Sequence, residues 1–243
     1  MSGNDQYTKV LLHFSGADAS TTFTDSNEGG AAKTWTAAGN AQIDTGIVKT
    51  GFGQAGLFDG TGDWITTPDH ADFTLGSSEF TADLLFNSAD AGATRSLFGQ
   101  NDSTGAAGFS ICALKLSTNM VRFIVSSDGT TQTTVTSTTT YAVAGWHHAA
   151  LVRTGDILRA FFDGVQEGGD VAFASAVNDS ANDFRVGALG ELTSSTWIGS
   201  IDEFRLSVGV ARWTANFTPP AVPYSNNTFI PRCNPFRSFK QRF

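Results

Sequence analysis

The sequence predicts an all-β fold, a sandwich or barrel of short strands. Composition is the first reason: 26 glycines, 20 phenylalanines and 5 tryptophans stand beside a charged fraction of only 16% in 243 residues. Helix-favouring Glu, Lys and Met are scarce, whereas aromatic residues and Thr suit a pleated, half-buried surface. Periodicity is the second reason: apolar residues alternate along many short runs, and no segment sustains a helical period. Turn signals are the third, recurring every ~8–12 residues as in sandwiches and barrels.

Taken in order, Thr8–Phe14 is the first expected strand, with Val10, Leu12 and Phe14 on one face and Leu11 and His13 on the other. Residues 15–40 are polar and turn-rich, anchored by Trp35. Ala41–Lys49 and Ala55–Phe58 are expected strands, and Asp63–Thr67 is another, closed by Pro68. Glycines at 51, 53, 56, 60 and 62 are expected to permit tight turns that bring Phe58 and Trp64 inward. Phe80–Phe86 places Phe80, Ala82, Leu84 and Phe86 on one face. Strands are expected at Arg95–Gln100, Gly108–Leu116, Met120–Ser126, Thr131–Thr139, Trp146–Arg153 and Ile157–Asp163. Asp163-Gly164 is a two-residue hairpin signal. Phe184–Gly187 and Trp197–Leu206 complete the set. Core material is expected from Trp146, Ala149 and Leu151 or their neighbours, and from Ile198, Ile201, Phe204 and Leu206. The composition breaks at Pro219-Pro220, so the chain reads as one domain over residues 1–224 and an extension over 225–243.

Net charge is −8 and unevenly spread. Residues 1–226 hold all 23 acids against 11 of the 15 cations, a net of −12. Such a body is a poor partner for nucleic acid or an anionic membrane. Cys112 and Cys233 lie far apart and form no metal-binding motif; Cys112, inside an apolar strand pattern, is expected as a buried free thiol. No basic or apolar leader opens the chain, so no signal peptide is expected.

Four segments then resemble a known family. They are Leu11-Leu12-His13-Phe14; Phe52 to Ile65, with its glycine-punctuated Phe58-Asp59-Gly60; Gly145 to Arg153 with Phe161-Phe162-Asp163-Gly164; and Gly199 to Leu206, reading Ser200-Ile201-Asp202-Glu203-Phe204-Arg205. Their order resembles that of laminin-G-like domains in the concanavalin-A-like lectin/glucanase superfamily. The resemblance implies a two-sheet antiparallel jelly-roll sandwich. The closing segment, Gly209 to Tyr224, resembles the version found in bacteriophage structural proteins.

Candidate chemistry follows from both readings. A retaining glycosidase needs two carboxyl groups ~5 Å apart. No Glu-x-Asp-x-x-Glu run exists, and the adjacent Asp202 and Glu203 are expected to point to opposite faces, so no catalytic residue is assigned. His147 and His148 are likewise expected to diverge, one toward the core and one toward the surface. The resemblance implies a structural calcium ion, for which Asp18, Asp25 and Asp202 are the candidate ligands, although Ser15 stands where the family often has an acid. The hydroxyl-rich residues 126–140 form a hairpin able to contact sugars or simply to remain soluble. In the extension, Phe236, Phe239 and Phe243 share one helical stripe. Together with Phe229, Arg232, Arg237, Lys240 and Arg242 they are the expected partner-docking residues.

The expected function is a non-enzymatic bacteriophage virion protein on the particle exterior, foremost a capsid decoration protein attached through its tail. Its expected partners are a major capsid or tail protein, further copies of itself and surface glycans. The alternative is a glycan-binding receptor-recognition module of a tail fibre or tail accessory protein. A glycoside-cleaving enzyme ranks third.

Overall fold

The computed structural model describes residues 3–101, 108–190 and 195–225. Along these run β1 (Thr8–Leu12), β2 (Phe23–Thr24), β3 (Thr34–Ala38), β4 (Gln42–Asp44), β5 (Ala55–Asp59), β6 (Trp64–Thr67), β7 (Phe80–Ser88) and β8 (Arg95–Gln100). There follow β9 (Ile111–Lys115), β10 (Val121–Ser126), β11 (Gln132–Thr136), β12 (Trp146–Thr154), β13 (Ile157–Phe162), β14 (Val165–Ala172), β15 (Phe184–Val186) and β16 (Ile198–Val208). Sheet I has the order β14-β13-β12-β7-β16-β5-β4, with β1 also paired to β16. Sheet II has the order β11-β10-β9-β8-β15-β6-β3-β2. Named strand pairs are antiparallel throughout, as hairpins and long returns between two sheets require.

The core lies between the sheets. Val10, Leu12 and Phe14 enter it from the first strand, and Phe80, Ala82, Leu84 and Phe86 from β7. Phe204 of sheet I meets Phe98 and Phe184 of sheet II at ring separations of 5.0 and 5.6 Å, so aromatic contacts bridge the layers. The hairpin signal is realised: Asp163 and Gly164 take φ values of 46° and 81°, and β13 turns into β14. β14 has no counterpart among the expected strands, because its exposed sequence lacks apolar alternation. Its Glu167 Oε2 accepts hydrogen bonds from the amides of Thr138 and Thr139 at 2.7 and 2.8 Å, linking the β14 edge to the chain after β11.

Three expected core residues lie elsewhere. Trp64 is half-buried, and its neighbour Ile65 is the one that enters the core. Trp146 and Ile198 are also only partly buried, displaced by Ala149, Leu151 and Trp197.

The more informative departure is in β16. Ile201 and Phe204 both face the core, although strict alternation separates inward residues by two. A register shift between Asp202 and Arg205 absorbs the extra residue, and Glu203 takes φ 51°. The shift falls where the strand changes neighbours: Ile198 to Ile201 pair with β5, whereas Phe204 to Ser207 pair with β1. Asp202 and Glu203 therefore lie together between two inward residues, which overturns the expectation that they diverge.

A strapped cleft on the outer face of sheet I

All nine residues of β7 are buried, including the outward-facing Thr81, Asp83 and Leu85. The chain after β16 covers them. Residues 209–225 form a strap across the outer face, with Ala211, Trp213 and Phe217 packed on Ala150, Val152 and Phe161. Hydrogen bonds fix its path. The amide of Arg212 donates to Thr81 Oγ1 at 2.9 Å, that of Phe217 to the Gly164 carbonyl at 2.8 Å, and that of Tyr224 to Glu203 Oε2 at 2.7 Å. Trp213 and Phe217 stack on each other at 4.0 Å.

Between the strap and the start of the chain lies a cleft of about 440 Å³. Gly3, Arg205, Arg212, Trp213, Phe217 and Tyr224 line it, with the strap residues around Pro220 and Pro223. Its floor is a buried ionic network. Arg205 is 2% exposed. Its Nε donates to Asp83 Oδ1 at 2.9 Å and its Nη1 to the Gly3 carbonyl at 2.9 Å, while Nη2 has no partner. Tyr224 lays its ring over the guanidinium at 3.7 Å and donates its hydroxyl to Asp83 Oδ2 at 2.5 Å. His148 Nε2 lies 3.3 Å from the same oxygen. Arg212 is fully engaged: Nε donates to Ser207 Oγ at 2.7 Å, and the two terminal nitrogens grip Asp5 at 3.1 and 2.9 Å.

The electrostatics follow from burial against pairing. Burial alone would raise the Asp83 carboxyl, but Arg205 and His148 outweigh it and hold it below the usual range. Burial would lower Arg205, and Asp83 reverses this. For Tyr224 burial dominates and raises the phenol well above its ordinary value. For Asp202 burial, reinforced by the charge of Glu203, pushes the carboxyl up to about 9, so it is held neutral; the Glu203 amide and the charge of Lys49 pull the other way but are outweighed.

The three expected calcium ligands are not brought together. Asp18 Oδ1 accepts from the amide and hydroxyl of Thr45. Asp25 spends its two oxygens on the amides of Leu11, Asn27 and Lys33, acting as a backbone clamp. The neutral Asp202 accepts from the Glu203 amide at 2.8 Å. Among the described residues no group of three or more His, Cys, Asp or Glu could hold a metal ion, so these three carboxylates do not form one ligand set.

Both histidines of the pair are engaged. His147 Nδ1 lies 2.7 Å from Asp163 Oδ2 and its ring stacks on Phe162, while His148 is sealed under the strap instead of reaching the surface. His13 Nδ1 meets Glu203 Oε1 at 2.6 Å. Cys112 is a buried free thiol, as expected, its pKa raised by burial. In the hydroxyl-rich hairpin, Asp128 pins the turn through the amides of Thr130 and Thr131, and β11 forms a sheet edge. Phe229, Arg232, Phe236, Arg237, Phe239, Lys240, Arg242 and Phe243 lie outside the described residues.

The sequence reading missed Asp83, Arg205, Arg212, Trp213 and Tyr224 as a group. One signal was available: Asp83 is the one charged residue in the run Phe80–Ser88, flanked by Ala82, Leu84, Leu85 and Phe86. An acid at the outward position of a central strand requires a buried partner once that face is covered.

No curated protein sequence matches the chain. Solved structures do. The binding domain of Paraclostridial Mosquitocidal Protein 1 superposes with a TM-score of 0.61 at 12% identity, over 83% of this chain and 48% of that one. Domain 4 of AbnA, a GH43 extracellular arabinanase from Geobacillus stearothermophilus, was solved in complex with arabinotriose. It superposes with a TM-score of 0.58 at 18% identity, over 84% of this chain and 95% of that one. The binding domain of botulinum neurotoxin DC, in complex with SialylT, gives 0.57 at 9% identity, over 90% and 49%. The chain thus spans about half the length of the two toxin domains, and at these identities the likeness is one of fold. A family profile matches residues 59–211, more than half of the sequence. The chain belongs to the laminin-G-type branch of the concanavalin A-like lectin/glucanase superfamily.

Proposed function

We propose that this domain is a non-catalytic glycan-binding module whose site is the strapped cleft. The lining carries the reading: half-buried aromatic rings, with two buried arginines behind them, surround a volume suited to one or two sugar rings, and no carboxylate is among the residues that line it. Aromatic walls suit the apolar faces of sugars, whereas hydrolysis needs a general acid and a base or nucleophile at the substrate. The buried Asp202–Glu203 pair supplies neither, being 1% exposed at each residue. The arabinotriose complex of the similarly folded arabinanase domain supports the reading. Probing the chain against a glycan microarray tests it. Specific retention of some glycans without release of reducing sugar is expected; no retention on any glycan ends the proposal.

A second reading is favoured by one observation. The strap that builds the cleft, Gly209 to Tyr224, is the segment whose form resembles bacteriophage structural proteins. On this reading the domain is an exterior virion component, such as a capsid decoration or tail protein, and glycan binding is how the particle holds a surface. Electron microscopy of particles with and without the chain decides it: density that vanishes with the chain is the expected result, and unchanged particles exclude it.

A further inference from the structure

We infer that the outer face of sheet I carries a second binding site, a row of side chains that takes an extended, uncharged polysaccharide. The row follows from strand register. Trp146 pairs with Asn87, Asn87 with Ser200, Ser200 with Leu57 and Leu57 with Gln42, so one line crosses β12, β7, β16, β5 and β4. The chain neighbours Phe86, Ile201, Phe58 and Ile43 face the core, which turns the row outward. Beside Trp146, His147 faces inward onto Phe86 and Phe162. Four strand intervals of ~4.8 Å give the row a length of about 19 Å. It shares a ligand class with the strapped cleft but none of the cleft's lining residues, so either site can fail alone.

Its polar groups are free and within reach. Among the described residues the side chains of Trp146, Asn87 and Gln42 enter no hydrogen bond, ion pair or ring contact. None of their side-chain nitrogens or oxygens is enclosed. Asn87 is 8% exposed, while Trp146 and Gln42 are half-buried. The strap's Trp213 and Phe217 meet His148, two residues further along β12, and leave Trp146 uncovered by any ring. Ser200, 0% exposed, is floor only. Half-buried Leu57 and, one row on, Ile198 add apolar surface. An amide both donates and accepts, as a sugar hydroxyl does, and an indole offers a ring face with one donor at its edge. Such groups spread along a line match a chain of rings better than a compact ligand. The row holds no charged residue, and Asp59, opposite Ile198, spends its two oxygens on Thr61 and Asn40. On a body of net charge −12 an anionic polymer gains nothing there.

The test is affinity electrophoresis of the full chain through gels cast with a neutral glucan, mannan or galactan, or with acidic alginate or polygalacturonate. Calorimetry follows, with oligomers of increasing length from the polymer that retards it most. Retardation by a neutral polymer is expected, with an affinity that grows with chain length until the row is filled and changes less than about twofold between low and high salt. Trp146→Ala should weaken it ~10-fold or more. Because Trp146 is half-buried, Gln42→Ala provides a second variant at the other end of the row. It should weaken only the longer oligomers, at unchanged melting temperature. Val222→Trp, which fills the strapped cleft from a position 63% exposed, should leave polymer binding unchanged. Polymer binding lost in Val222→Trp and untouched by Trp146→Ala and Gln42→Ala overturns the row and leaves the cleft standing. Retardation by acidic polymers alone, by no polymer, or with an affinity independent of chain length overturns the row as well. So does self-association of the chain in sedimentation that Trp146→Ala abolishes, since a second copy then covers this face. The cleft is judged separately, by the effect of Val222→Trp on the short glycans of the microarray.

Discussion

The two sheets carry the same kind of core on their inner faces but treat their outer faces differently. Sheet I is covered by residues 209–225, which bury Asp83, His148 and Arg205. Among the described residues, sheet II carries on its outer side a small cluster of Cys112, Ile124 and Leu189, with Phe109 and Leu114 against it. The difference teaches what covering a sheet demands. An open face can keep solvated polar residues, whereas a covered one must give every polar group a partner. The strap supplies partners in Tyr224 and Arg212, yet Arg205 Nη2 and His148 Nδ1 stay buried without one among the described residues.

Breaking the covered face should cost most. Asp83→Ala removes the acceptor shared by Arg205, Tyr224 and His148 and strands a buried guanidinium. A loss of ~3–5 kcal/mol is expected, measured by denaturant unfolding.

The second prediction concerns pH. The carboxyl of Asp202 is raised in the folded state to about 9, so the native protein binds a proton that the unfolded chain releases near pH 4. Stability should therefore fall as pH rises from about 4 through about 9 and flatten above. Asp202→Asn keeps the acceptor for the Glu203 amide, removes this slope, and should stabilise the fold by ~1–3 kcal/mol at pH 8. Thermal melts of both proteins from pH 5 to 9 check it, and parallel slopes would refute the assignment.

On the sparer face, effects should shrink. Ile124→Val trims the small cluster and should cost ~0.5–1.5 kcal/mol, by the same unfolding measurement. Arg122→Ala removes only a side-chain bond to Thr136 Oγ1 at 3.1 Å and should stay within ~0.5 kcal/mol. If Arg122→Ala proved as damaging as Asp83→Ala, the contrast between the faces would fail.

Much of the core was legible from period alone, as Val10, Leu12 and Phe14 or Phe80 through Phe86 illustrate. Period fails where two apolar residues adjoin: Trp64 and Ile65 compete for one inward position, and only the pairing of β6 with β3 and β15 decides it. The bulge in β16 was half legible, since Ile201 and Phe204 are three apart and cannot both face inward without one. The cleft was not legible. Its contacts join Gly3 to Arg205 and Asp83 to Tyr224, 202 and 141 residues apart, and no local pattern encodes such pairings.

The Gly3–Tyr224 contact has a topological consequence. An ideal Cβ built on Gly3 would lie 2.3 Å from Tyr224 Cβ, so the two extremities of the described chain meet at one point of the surface. A domain of that shape behaves as a closed loop. It can be spliced into a surface turn of another protein, or reopened at an exposed hairpin after its extremities are joined by a short linker, with the order of strands in both sheets preserved.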